Sequence, residues 1–363
     1  MSSVSELLAE LVAFPTQQAG GEGGAGDERK LCEHLAPKLR ALGADDVVVE
    51  HATRSDGSAG AYVFARWGTP RRLINAHVDT VPANAGWTRS PWQPTLANGK
   101  LYGLGACDTK AAIAATLVAL AGRRPRDLGV LFSGDEEAGS AIMHTFLATP
   151  YAKEITEAIV CEPTARTAGI AHRGVLAGSA SLEGAGGHSS KADFMPKPIA
   201  KLARLAVALD DLGVRRLHDG PIGMQGLCMN VAALHGGVAF NVVPQRGQLE
   251  WSTRPFPGFD RAGYEQELAE LARSIDPGIQ LATTIDHAPF QCAHPEALSA
   301  LVKPFVTSIG QLDFWTEAAL YMEHGIDAIV IGPGNIAQAH AADEFVSLDD
   351  LDWAVALFDH MFH

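Results

Sequence analysis

Apolar positions recur at two spacings along this chain, and each spacing predicts a kind of element. Near the start, Leu7, Leu8 and Leu11 share a helical face behind Ser3-Val4-Ser5-Glu6, which reads as a capping box, so a helix is expected over 3–13. A second helix carries Leu31, Leu35, Leu39 and Leu42 on one side and stops at Gly43. The glycine-rich run from Gly20 to Gly26 between them reads as a mobile loop. Continuous apolar runs follow at 47–49, 62–65, 73–76, 130–132 and 158–160, with a buried helix expected over 109–121. Strands without polar alternation, interleaved with helices, predict a doubly wound, largely parallel α/β sheet covered on both faces.

Near Arg173 the texture changes. Residues 175–183 alternate as a half-exposed strand does, and Ile199, Leu202, Leu205 and Leu209 mark a helix. Strands are expected at 227–234 and 245–253. A helix carrying Tyr264, Leu268, Leu271 and Ile275 then leads to a strand at 279–286. This β-α-β-β-α-β order is a ferredoxin-like unit. The chain therefore divides into a first domain, 1–173 and 288–363, and a second domain inserted into it, 174–287. Within the closing segment, 328–331 is a strand and Ser347 begins a last helix with Leu348, Leu351, Val355 and Phe358 on its face.

Composition narrows the class. A chain of 363 residues suits two domains, and 47% hydrophobic with 19% charged residues excludes general disorder. A formal charge of −14, from 28 basic and 42 acidic residues, repels phosphate and argues against nucleic acid or an anionic membrane as a partner. The five cysteines are scattered with no CxxC pair, which is neither a disulfide framework nor a zinc ribbon and fits a reducing cytoplasm. The longest apolar stretch, Ala111 to Ala121, falls well short of the ~20 residues of a membrane span. The expectation is a soluble cytoplasmic protein.

Five acidic or imidazole clusters follow strands or glycine-rich turns. They are His77-Val78-Asp79, Gly105-Ala106-Cys107-Asp108, Asp135-Glu136-Glu137, Cys161-Glu162-Pro163 and His340-Ala341-Ala342-Asp343-Glu344. Each has an ordinary explanation taken alone: a core histidine, a helix N-cap at Asp108, a solvated acidic turn. Together they point elsewhere, because ligands gather outside the carboxyl ends of strands in such sheets. Asp79, Asp108, Glu136, Glu137 and Glu162 in one pocket cannot all stay ionised without counter-charge. Two divalent cations nearly balance them, and mixed imidazole and carboxylate donors suit Zn²⁺ or Co²⁺ better than Ca²⁺ or Mg²⁺.

These blocks resemble the dinuclear zinc hydrolases that include acetylornithine deacetylase, succinyl-diaminopimelate desuccinylase and carboxypeptidases of the G type. The resemblance is carried by Asn75 to Pro82, Gly103 to Lys110, Ser133 to Gly139, Glu162-Pro163-Thr164 and Gly186 to Ser190. Glu-Pro-Thr is similar to the acetylornithine deacetylase branch, and the general appearance to its acetylcitrulline variant. The resemblance implies that Asp108 bridges two metals, with His77 and Glu162 completing one site and Glu137 and His340 the other. It makes Asp79 the residue that orients His77, and Glu136 the general base that takes a proton from water and returns it to the departing amine. His188 is then expected to reach a neighbouring subunit's site in a homodimer, with Arg254, assisted by Asn241, binding the substrate carboxylate. Ala111 departs from the family, which usually has glycine after the lysine; the change bears on helix packing.

The leading expectation is a deacetylase for acetylcitrulline or acetylornithine in arginine biosynthesis. A dipeptidase, carboxypeptidase or desuccinylase on the same scaffold is the alternative among enzymes. An acyl-amino-acid binding protein without catalysis is the alternative outside them, and retention of Glu136 argues against it.

Overall fold

A computed structural model of the chain describes residues 3–20, 24–123 and 125–362. Residues 21–23 of the glycine-rich loop lie outside the described set. The chain separates into two compact units, each described by itself. The first comprises the residues up to Ile170, Cys292–Leu312 and those from Thr316 on; the second is Ala171–Gln291 with Asp313–Trp315.

The first unit is built on a mixed sheet with a parallel centre. Strand Arg72–His77 lies between Leu128–Ser133 and Glu157–Val160, parallel to both, and Asp327–Val330 adds a further parallel strand beside Glu157–Val160. Asp46–Thr53 and Ala59–Trp67 extend one edge as antiparallel strands. The opposite side continues through Thr167–His172, antiparallel to its neighbour. The central strands read as unbroken apolar runs because both faces are covered: Leu73, Ile74, Val130, Leu131, Ala158 and Ile159 are fully buried. Register then sets the active edge. Ala76 sits opposite Phe132 and Asn75 opposite Val160, so the carboxyl ends of three strands open on one side.

Helix Lys110–Leu120 is buried nearly all round, which its alanines permit by letting neighbouring helices approach closely. Helices Val4–Val12 and Leu348–Met361 pack against it. Ser3 caps the first of these: its hydroxyl accepts the Glu6 N–H at 3.2 Å, and the Glu6 carboxylate accepts the Ser3 N–H at 2.8 Å. No described helix is long and apolar enough to cross a membrane.

The second unit is a four-stranded antiparallel sheet in the order Asn230–Gly236, Arg246–Thr253, Val175–Glu183, Gln280–His287. Helices Pro198–Arg215 and Arg261–Ile275 supply Leu202, Leu205, Leu209, Tyr264 and Leu268 to a core shared with Leu249 and Trp251 of the sheet. A short pairing of Gly187–His188 with Val242–Val243 stands apart from this sheet.

Candidate metal centre and catalytic residues

The parallel strands deliver their residues by ending together. His77 is the last residue of its strand, the turn 134–140 follows Leu128–Ser133, and Glu162 stands two residues past Glu157–Val160. Donor atoms of His77, Asp108 and Glu137 lie within 4.8 Å of one another. The Asp108 carboxylate faces a different histidine with each oxygen. Oδ1 is 3.1 Å from His77 Nε2, and Oδ2 is 3.6 Å from His340 Nε2. His340 Nε2 also meets the Glu137 carboxylate at 3.0 Å. Glu162 is buried at 5% exposure. Burial and the charges of Asp108, Glu136 and Glu137 push its carboxyl well above the usual range, against the pull of His77.

Asp108 is not the cap of the following helix. The structural N-cap is Thr109, which makes no side-chain capping bond, and its hydroxyl instead accepts the His77 N–H at 3.1 Å. Asp108 is thereby left with both oxygens turned toward the histidines.

Asp79 contacts more than His77. Its Oδ1 accepts the Glu136 N–H and its Oδ2 the Glu137 N–H, each at 3.1 Å, and Gln18 donates to Oδ2 at 2.6 Å. The His77 ring meets Asp79 chiefly through the backbone: Nδ1 is 2.9 Å from the Asp79 carbonyl and 3.6 Å from its carboxylate. With Nδ1 engaged by that carbonyl, Nε2 is the nitrogen turned to Asp108. One buried carboxylate thus holds the turn that carries Glu136 and Glu137. Burial opposes its ionised form, but contact with His77 and the Gln18 bond keep the Asp79 carboxyl below the usual range.

The turn has its own support. Asp135 adopts φ 68°, and its Oδ2 accepts the N–H groups of Ser55 at 2.8 Å and Ala141 at 2.9 Å. Behind it lies a charged group that no sequence pattern announced, since its members come from unrelated segments. Arg54, 3% exposed, donates to the Gln18 amide oxygen, and its Nε is 3.9 Å from both Glu28 Oε1 and Asp135 Oδ1. Burial and the Asp79 charge push the Glu28 carboxyl up to about 8 even with Arg54 near. Arg54→Met is expected to lower unfolding stability by about 3–5 kcal/mol, because it strands buried carboxylates without their cation. Urea denaturation measures this, and a loss under ~1 kcal/mol would show the group to be uncoupled.

Protonation follows the crowding of carboxylates. Burial pushes the Glu136 carboxyl well above its usual range, aided by the charges of Glu137, Glu317 and Asp79 and opposed by His77. Glu137 is raised by burial too, partly offset by its bond from His340. That same bond holds the His340 imidazolium up to about 9. For His77, burial favours the neutral ring, but its contacts with Asp108 and Asp79 prevail and hold it well above the ordinary imidazole value. Carboxyls and imidazoles whose proton affinities are raised together mark a site with uncompensated negative charge. Nitrogen and oxygen donors at this spacing fit a transition-metal cation, which would displace those protons.

The remaining sequence candidates belong to the second unit. His188 is exposed, with Nδ1 2.8 Å from Ser190 Oγ. Asn241 is exposed and its carbonyl accepts the Ser189 N–H at 3.0 Å. Arg254 is exposed, and its backbone is tied to Leu227 and Arg173.

A cluster of histidines and mostly buried carboxylates at the carboxyl edge of a mixed α/β sheet is the arrangement of a metal-dependent hydrolase. The chain belongs to Peptidase family M20/M25/M40, whose profile matches residues 73–363. Among curated relatives, N-acetyl-L-citrulline deacetylase of Xanthomonas campestris pv. campestris is 33% identical over 371 residues, covering 97% of this chain and 95% of that protein. Acetylornithine deacetylase of Photorhabdus laumondii subsp. laumondii is 28% identical, covering 94% and 92%. Among solved structures, the M20 family metallo-carboxypeptidase Sso-CP2 from Sulfolobus solfataricus shares the fold, with TM-score 0.80 and 17% identity over 100% of this chain and 99% of that one.

Proposed function

We propose that this protein is a dinuclear-metal-dependent amidohydrolase that removes the acetyl group from an N-acetyl amino acid, acetylcitrulline or acetylornithine. The observation that carries the dinuclear reading is the Asp108 carboxylate, which faces His77 with one oxygen and His340 with the other. His77, Asp108 and Glu162 would hold one cation, and Asp108, Glu137 and His340 the other. Zn²⁺ and Co²⁺ both suit this donor set, and bound there they supply Lewis-acid polarisation of the acyl carbonyl and acidify water. Glu136 takes the proton of the attacking water and delivers it to the departing amine. The deacetylase relatives support the acyl-amino-acid substrate. Citrulline or ornithine as product supports a role in arginine biosynthesis in the cytoplasm. A panel of acetylcitrulline, acetylornithine, succinyl-diaminopimelate and dipeptides, assayed for released amine on Zn²⁺- or Co²⁺-loaded protein, tests this. Higher kcat/KM on a dipeptide than on either acetyl amino acid would overturn it.

The second unit is proposed as a lid and dimerisation domain, with Arg254 and Asn241 binding the substrate carboxylate. His188, exposed on a short two-stranded pairing, is proposed to stabilise the oxyanion in the partner subunit's site. Inactive His188→Ala protein mixed with inactive Glu136→Gln protein should then regain activity, because one site in each heterodimer holds both native residues. No recovery after verified subunit exchange would refute action in trans.

A further inference from the structure

Glu344 follows His340 by four residues, is 2% exposed, and has no part in the scheme above. Its carboxylate gathers three backbone donors from the loop that ends in Asp108. Oε1 accepts the N–H groups of Cys107 at 2.8 Å and of Asp108 itself at 3.0 Å, and Oε2 accepts that of Gly105 at 3.0 Å. The Glu344 carbonyl accepts the Gly103 N–H at 3.0 Å. The next residue, Phe345, opens a strand paired antiparallel with Lys100–Tyr102, so the two segments are already in register where the clamp begins.

The loop cannot hold this shape unaided. Gly105 has φ 77°, and a Cβ there would lie 2.7 Å from Thr80 Cγ2, so the chain runs in a left-handed conformation against a wall. Cys107 is buried with it. Three N–H groups turned inward need an acceptor, and a carboxylate takes several such bonds with charge assistance. Loss of that acceptor leaves the donors unpaired and the loop free to turn. What turns with it is Asp108.

We propose that Glu344 is a positioning residue of the metal centre, whose carboxylate sets the 105–108 loop so that each Asp108 oxygen faces its own histidine. The segment that supplies His340 thereby also orients the bridging carboxylate, and the two cation positions are coupled through five residues of chain. This inference rests on the dinuclear reading given under the proposed function.

Glu344→Gln keeps the volume but replaces one acceptor oxygen with an NH₂ group, so at least one loop N–H loses its partner. In the full-length protein, Co²⁺ affinity, measured by competition with a chelator, should fall about 10–100-fold. The d–d absorption of the protein saturated with Co²⁺ should shift in position or intensity, because Asp108 no longer meets both ions as before. Glu344→Asp, which keeps the charge on a shorter arm, should lie between wild type and Glu344→Gln in both measurements, and it serves alone if Glu344→Gln does not fold. Wild-type affinity and spectrum in a folded Glu344 variant would overturn the proposal. A lowered melting temperature accompanied by an unchanged spectrum would overturn it equally, since that is the signature of a merely structural carboxylate. Failure of the wild-type protein to bind Co²⁺ with a d–d spectrum refutes the dinuclear reading itself, and it is seen without any variant.

Discussion

Glu136→Gln is expected to reduce turnover by about 10²–10⁴-fold while leaving metal content and substrate binding near those of the wild type. Glu136 is placed by its backbone, since its N–H is held by Asp79 and the turn behind it is held by Asp135. Glutamine preserves that backbone bond and the side-chain volume, so the site keeps its shape. What it removes is the ability to take up and return a proton. Burial and neighbouring carboxylates raise the affinity of Glu136 for a proton, which moves it from the acid range toward the operating pH where a general base is most effective. Single-turnover kinetics, elemental analysis of bound metal and calorimetric titration with substrate separate the three quantities. Native turnover in the variant would remove Glu136 from the role of base. Lost metal binding would instead mean that it acts as a ligand.

Chelation is expected to abolish activity, and Zn²⁺ or Co²⁺ to restore it, because the cluster around Asp108 is short of positive charge. Full turnover in demonstrably metal-free protein would sink the reading. Removal of the metal should also expose a pH dependence of stability. Glu28 and Glu317 are pushed by burial up to about 8 and about 7, from an ordinary value of 4.5. A carboxyl with a raised folded-state pKa stabilises the fold fully below its unfolded value and loses that contribution as pH climbs through the folded one. His340, held up to about 9, acts in the same direction. Lys110, depressed by burial to about 7, acts in the opposite sense, its contribution lost as pH falls through that value. The carboxyls outnumber it, so the melting temperature of the metal-free protein should decline between about pH 5 and pH 8. Thermal melts with and without Zn²⁺ measure this. A rising metal-free profile over that range would contradict it.

The contrast between His77 and Glu344 shows what each level of description can resolve. His77, Glu136, Glu137 and Glu162 were legible because each follows an apolar run, and parallel strands that end in register bring such residues to one edge. The ferredoxin-like order of the insert was legible for a similar reason: alternation every second residue and every third or fourth residue is imposed by burying one face. Asp108 was ambiguous, because an acidic residue ahead of a helix is also what capping requires. Only the structure shows Thr109 at the cap position and Asp108 turned to two histidines. His340 comes from a loop ahead of a short strand, where no periodicity marks it.

Gln18, Glu28, Arg54 and Asp135 form the supporting group behind Asp79, yet they come from segments that share no pattern. The role of Glu344 depends on loop N–H groups 236 to 239 residues away in sequence. Periodicity determined the elements, the sheet and the edge where chemistry gathers, because one-dimensional spacing records which face of each element is buried. Orientation of the side chains at that edge was decided by hydrogen bonds between distant segments, and those partners are chosen by proximity in the folded chain, which spacing does not encode.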